Sequence, residues 1–177
     1  LADLKGRKFQ KKRNHVNRFR TEHSQFELQN LTDGNFSAAQ RMVGEWYRAR
    51  MQADPTGDYM MESIAMSRAF RHYEGLQMES AVLVENGEIL AVTMGSRLWS
   101  DTFDIHFEKA REDVDGAYAA VNCEFARYLR LKYPNLRYLN REDDVGLAGL
   151  RKAKLSYNPH HMVEKSWAYL AEDFHGD

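Results

Sequence analysis

The sequence predicts an α/β domain built on a mixed, largely antiparallel sheet flanked by helices. Three observations lead there. Several stretches carry apolar residues at three- and four-residue spacing, the mark of half-buried helices. The period drops to two across "SAVLVENGEILAVTMG" and again across "DTFDIHFEKA". The elements then follow one another as strand, two helices, three antiparallel strands, helix, strand, helix, strand.

Length and composition agree with one domain. A chain of 177 residues can bury a sizeable core. Lys plus Arg (25) and Asp plus Glu (26) nearly cancel, so net charge selects no partner class. Cys123 is the single cysteine. No internal disulfide can form, and a reducing, cytoplasmic setting is expected. No apolar run approaches the roughly 20 residues of a membrane span. The basic start has no apolar segment behind it, unlike a secretory signal. The chain opens on Leu1, which suggests a later part of a longer polypeptide.

Residues 1–22 read as a lead-in helix ahead of a domain over 23–177. Its apolar stripe is thin (Leu4, Phe9, Val16, Phe19). Its surface carries Lys5, Arg7, Lys8, Lys11, Lys12, Arg13, Arg18 and Arg20 with no acid among them. Such a surface suits phosphate-rich partners, tRNA or anionic lipid headgroups, or a solvated helix docked on a neighbouring domain. Ser24–Leu31 reads as a strand, with Phe26 and Leu28 on one face. Thr32-Asp33-Gly34-Asn35 is turn chemistry. A helix follows on Phe36, Ala39, Val43, Trp46 and Tyr47, and Asp54-Pro55-Thr56-Gly57 ends it. The next helix runs over about 58–73 along Met61, Ala65, Ala69 and Tyr73. Asn86-Gly87 marks a hairpin turn. Thr102–Glu108 alternates strictly, with Phe103, Ile105 and Phe107 on one face and Asp104, His106 and Glu108 on the other. A long helix from Gly116 to Tyr133 turns Tyr118, Val121, Phe125 and Leu129 inward. Leu136–Asn140 is a short strand, Gly146–Lys154 a short helix and Met162–Leu170 a last strand.

Chemistry-bearing residues concentrate in the second half. His106 and Glu108 either form one wet face of the sheet or point into a cleft, where one could take a proton from an attacking amine. Lys109 and Arg111 flank the amino end of the helix at Gly116, where free N–H groups and the dipole attract phosphate. Alternatively Asp115 simply caps that helix, and Glu112, Asp113 and Asp115 would repel an anion. In "NREDDVGLAGLRKAKLSYNP", Glu142, Asp143 and Asp144 precede a helix that ends in Arg151, Lys152 and Lys154. The helix dipole favours that order by about 0.3–1 kcal/mol per charge. It does not account for Gly146 and Gly149 within so short a helix, each costing about 1 kcal/mol. Close backbone approach is one reason for such glycines. His160-His161 has no partner at metal-ligand spacing and reads as a solvated loop. Cys123 reads as a buried thiol. Asn122 reads equally as a structural amide or a substrate contact.

The stretches "LADLKGRKFQKKRNHVNRF", "DTFDIHFEKA", "GAYAAVNCEFA" and "YLNREDDVGLAGLRKAKLSYNP" together resemble an uncharacterised bacterial family. It is grouped with the C-terminal domain of phosphatidylglycerol lysyltransferase, within the GNAT (N-acetyltransferase-like) fold. The resemblance implies the second of two tandem GNAT-like domains, partnered by the preceding one. It implies that Thr102–Glu108 and Leu136–Asn140 splay apart, with donor and acceptor meeting in the gap. One departure separates this chain from GNAT acetyltransferases, whose Arg or Gln precedes a glycine-rich turn around the pyrophosphate of coenzyme A. Here Arg111 is followed by Glu112-Asp113-Val114-Asp115 and a single glycine, Gly116.

The resemblance and the residues together predict an acyl- or aminoacyltransferase with no tightly bound cofactor or metal. Its donor would be acyl-CoA or aminoacyl-tRNA. His106, Glu108 and Asn140 would carry the chemistry. Lys109, Arg111, Gly116 and Tyr118 would hold the donor. Asn122, Arg141, Glu142, Arg151, Lys152 and Tyr157 would contact substrate. The alternative is a non-catalytic GNAT-like module that uses its basic helix on RNA or a membrane surface.

Overall fold

A computed structural model of the chain describes residues 1–166 and 168. After a 3₁₀ turn at Arg7–Phe9 come α1 (Gln10–Glu22), β1 (Glu27–Asn30), α2 (Asp33–Ala53) and α3 (Met60–His72). Then follow β2 (Glu79–Glu85), β3 (Glu88–Arg97), β4 (Thr102–Ala110), α4 (Ala117–Lys132), β5 (Tyr138–Asn140) and α5 (Ala148–Leu155). The five strands lie in sequence order in one sheet. Pairing is antiparallel from β1 to β4, and β5 joins β4 in parallel through the α4 crossover.

The sheet is covered on both faces. On one, α2 and α3 bring Met42, Val43, Tyr47, Met66 and Phe70 against Val82, Val92 and Met94. On the other, α4 and α1 bring Ala120, Val121, Phe125 and Phe19 against Leu83, Leu90, Ala91 and Phe103. Phe19 and Phe125 are both fully buried. Each such side chain stabilises the fold by about 1.5–3 kcal/mol relative to exposure. Residues 1–22 therefore share the core of the rest. Leu4 and Gly6 take φ of 48° and 91°, which no helix tolerates, so the first helix is shorter than the sequence pattern implied.

Local chemistry explains the element ends. Thr32 caps α2, its N–H donating to Asn35 Oδ1 at 2.9 Å. The expected turn at Thr32–Asn35 is thus the first turn of a helix. Asn86 and Gly87 take φ of 51° and 81°, the two left-handed positions that a tight hairpin requires. Gly116 takes φ of 84°, and a Cβ there would lie 3.0 Å from the His15 carbonyl oxygen and 3.1 Å from Phe19 Cβ. Glycine is needed because α1 packs directly on the start of α4.

Several expectations are corrected. The buried ridge of α3 is Met66, Ala69 and Phe70; Met61 is 66 % exposed, and Ala65 is exposed too. Tyr118 is partly exposed. Among the described residues, 161–166 and 168 form no strand; residues 167, 169 and 170 of the expected last strand lie outside them. Gly146 takes φ of 80° in the turn before α5, whereas a Cβ on Gly149 would meet nothing within 4 Å. Close approach therefore explains neither glycine.

The largest correction concerns β4. Met94 pairs with Phe107, but Gly95 pairs with Ile105. His106 is the extra residue of a β-bulge, and it resets the alternation. Phe103 and Ile105 face α4, whereas Phe107 packs on the α2–α3 side. Glu108 comes round to the α4 face, where Asn122 reaches it. His106 and Glu108 thus lie on opposite faces of the sheet. Gly95 makes the bulge possible: a Cβ there would lie 2.2 Å from the Asp104 carbonyl oxygen and 2.5 Å from the Phe103 ring. Gly95→Ala is therefore expected to cost about 2–3 kcal/mol, the price of overpacking. Gly149→Ala should gain about 0.5–1 kcal/mol from helix propensity. Urea denaturation of both variants checks the contrast.

Candidate functional site

β4 and β5 pair only over Thr102–Tyr138, Phe103–Leu139 and Asp104–Asn140. Beyond Asp104, β4 runs on to Ala110, while the chain leaves β5 at Asn140 through Glu142, whose φ is 56°. The Asn140 Oδ1 accepts the Glu142 N–H at 3.1 Å and holds that bend. The two strands part here, and side chains of successive residues go to opposite faces of β4.

On the α4 face, Arg141 donates to Glu108 Oε1 at 2.7 Å and the Asn122 amide donates to Glu108 Oε2 at 3.1 Å. The Glu108 side chain is 9 % exposed. The Arg141 guanidinium also lies 4.9 Å from the centre of the Tyr157 ring, and Lys12 lies 4.1 Å from the same ring. Lys154 donates to the carbonyls of Arg141 and Asp143. Burial lowers the pKa of Lys12 and of Lys154, and repulsion from Arg141 adds to it in both cases. Burial pushes the Tyr157 phenol up to about 12. Three cations, one tyrosine face and one buried carboxylate thus meet where the strands part.

On the opposite face, His106 Nε2 sits 2.8 Å from Ser96 Oγ. Its Nδ1 lies 3.9 Å from Asp104 Oδ2 and 3.7 Å from Glu142 Oε1. Burial and then the neighbouring Glu142 carboxylate raise the pKa of Asp104. Burial also works to raise Glu142, but Lys165, 2.8 Å away, outweighs it and holds that carboxyl below its ordinary value.

The remaining sequence candidates stand elsewhere. Lys109 is buried, bonded to both oxygens of Glu62 at 2.8 and 2.9 Å and 4.2 Å from the Trp46 ring centre. Burial lowers its pKa. Arg111 is tied to Glu88 and Asp113; with both acids it lines an open groove of about 620 Å³ beside Arg41 and Trp46. Gly116 is covered by α1, and Tyr118 stands on the first turn of α4. Arg151 is held by Asp144 at 2.6 and 3.0 Å, and Lys152 is exposed on α5. The structure therefore brings together Glu108, Asn122, Arg141 and Tyr157 on one face, and His106 with Glu142 on the other. It does not gather Lys109, Arg111, Gly116 and Tyr118 into one cradle. The family resemblance places Lys154 on the rim of the site as part of "GLRKAK" and does not place Lys12, Asp104 or Ser96 there. Only the return of α1 to the end of β5, and the pairing of β3 with β4, place them there.

A family model described as phosphatidylglycerol lysyltransferase, C-terminal, matches residues 1–169. The chain belongs to this family. Among solved structures, a conserved protein of unknown function from Bacteroides thetaiotaomicron is 40 % identical with a TM-score of 0.83, and the match covers 91 % of this chain and 53 % of that one. The C-terminal domain of a putative lysylphosphatidylglycerol synthetase from Agrobacterium fabrum is 16 % identical, with a TM-score of 0.55 over 89 % of this chain and 53 % of that one. This chain thus spans about half the length of both. A possible acetyltransferase from Clostridium difficile is 10 % identical, with a TM-score of 0.59 over 82 % of this chain and 97 % of that one. The fold is that of GNAT-type acetyltransferases. No curated protein matches the sequence. No helix among the described residues is long and apolar enough to cross a membrane.

The Arg141–Glu108 pair is largely shielded from water. Arg141→Ala leaves a buried carboxylate with the Asn122 amide as its one remaining described side-chain partner, and it should cost about 1–3 kcal/mol. Glu108→Gln in the same chain should recover part of that loss. A double-mutant cycle by chemical denaturation measures the coupling.

Proposed function

We propose that this chain is an aminoacyl- or acyltransferase domain working at the place where β4 and β5 part. The observation that carries the reading is the cluster of Lys12 and Arg141 on the Tyr157 ring, with Lys154 on the Arg141 carbonyl and Glu108 enclosed beside it. A phosphate-bearing donor would draw the Arg141 guanidinium, a planar group suited to bidentate phosphate contacts. That exchange would release Glu108 from its ion pair. The donor carbonyl would lie along the edge of β4 beyond Asp104, where β5 no longer pairs with it. Main-chain N–H groups on such an edge can stabilise an oxyanion. Glu108 would accept the proton of an attacking amine or hydroxyl. The new bond forms at the acyl carbon, and the ester or thioester bond breaks to release a hydroxyl or thiol.

An aminoacyl ester of tRNA is favoured over acyl-CoA. The loop after Arg111 is acidic, and Arg111 itself is engaged by Glu88 and Asp113. Membership of the lysyltransferase family supports the same choice. The relatives' greater length supports a preceding domain as partner. The cytoplasm is where such donors are available.

One observation favours a second reading, a non-catalytic binding module: Arg141 itself occupies the space beside β4. Against polyanion binding by α1, Arg13 is spent on the Leu4 and Gly6 carbonyls. Arg18 is likewise spent on Asp115, and Arg20 on Glu124.

Transfer of a radiolabelled aminoacyl or acyl group, from tRNA or CoA donors to amine and hydroxyl acceptors, tests the proposal. Glu108→Gln should lower turnover by roughly 10²–10⁴, far more than the modest fall in melting temperature expected from breaking its pair with Arg141 accounts for. Turnover equal to the parent's removes Glu108 from the chemistry. Absence of turnover with every donor, together with thermal stabilisation by heparin alone, selects the binding module.

A further inference from the structure

We infer that Asp104, His106 and Glu142 form a site for a first-row divalent cation, Zn²⁺ foremost, on the α2–α3 face of the sheet. The inference stands apart from the transferase reading, whose groups lie on the opposite face. Each of the three residues offers one ligand atom, and these atoms all lie within 4.8 Å of one another. His106 Nδ1 is 3.9 Å from Asp104 Oδ2 and 3.7 Å from Glu142 Oε1. Those separations are too long for hydrogen bonds. They approach the roughly 3.4 Å that separates two ligands bound about 2.1 Å from a tetrahedral centre.

A second observation concerns the same Asp104 carboxylate, whose Oδ2 faces His106. Asp104 is 7 % exposed, and its Oδ1 has no hydrogen-bond partner among the described residues. A buried carboxylate oxygen without a donor is costly, and a cation removes that cost. The imidazole is held as a ligand's would be. Ser96 Oγ fixes Nε2 at 2.8 Å and leaves Nδ1 turned toward the two carboxylates. The ligands also come from two segments, β4 and the bend after β5. A bound ion would therefore fasten that bend to β4 just where strand pairing ends. One imidazole and two carboxylates leave at least one position for water or a ligand oxygen, and the set suits zinc better than calcium. Lys165 on Glu142 Oε2 and on Asp143 shows that this rim already draws positive charge.

The experiment is calorimetric titration of the EDTA-treated chain with ZnCl₂, alongside MgCl₂ and CaCl₂, and with Co²⁺ absorption as a coordination readout. One equivalent of Zn²⁺ should bind and raise the melting temperature. Co²⁺ should give the visible d–d bands of a four- or five-coordinate N/O site. Glu142→Gln, a substitution in a bend that leaves the core untouched, should weaken binding at least tenfold, and His106→Gln should abolish the Co²⁺ bands. The double change His160→Ala, His161→Ala should leave both signals in place, because that exposed pair (2.9 Å between ring nitrogens) is the competing source of zinc affinity. Binding that disappears with the double change and survives Glu142→Gln overturns the inference. So does the absence of a one-equivalent event in the parent chain.

Discussion

The extra residue at His106, accommodated only because Gly95 has no side chain, governs the second half of this molecule. Without it, strict alternation would place Glu108 with Asp104 and His106 on the α2–α3 face, away from Asn122. With it, β4 presents Asp104 and His106 to one side and Glu108 to the other. The bend after Asn140 follows suit: Arg141 reaches Glu108 on one face, and Glu142 approaches His106 on the other. One inserted residue thus makes two separate polar clusters out of a single stretch of strand.

Several cations of this chain are already paired with carboxylates of its own. Lys109 is buried against Glu62 and an indole, Arg111 is closed by two acids, and Arg151 is closed by Asp144. A cation already paired to a neighbouring carboxylate offers little to a phosphate, so residue type alone is a poor guide to a binding role. Lys12, Arg141 and Lys154 differ, because both lysines crowd Arg141 and burial has cost each lysine part of its affinity for a proton. Such crowding is stable only where carbonyls, a ring face and one carboxylate share the load, and an incoming anion would relieve it further.

The sheet and its helices were legible because each rests on local chemistry. Asn86-Gly87 can hardly be anything but a tight hairpin, and the apolar spacing of Phe36 to Tyr47 and of Val121 to Leu129 matches the buried faces of α2 and α4. The candidate site was legible only in part. Glu108, Asn122, Arg141 and Tyr157 came from four separate stretches and do meet. Lys109 and Arg111 had equally suitable side chains, but Glu62 and Glu88 lie far away in sequence, and only Asp113, two residues past Arg111, gave a local sign. Lys12 went unnoticed as a site residue because it stands among other lysines and arginines of α1, identical in type and different only in what packs beside them.

The sequence by itself determined the α/β class, the hairpin, the order of elements and the family, because periodicity, turn residues and long motifs are properties of neighbours along the chain. Tertiary structure alone decided which face each β4 residue meets, which cations remain available and where β5 leaves β4. Those depend on a bulge that no local pattern announces and on contacts between segments many residues apart. Electrostatics and packing act through space, and only the folded arrangement sets the distances over which they act.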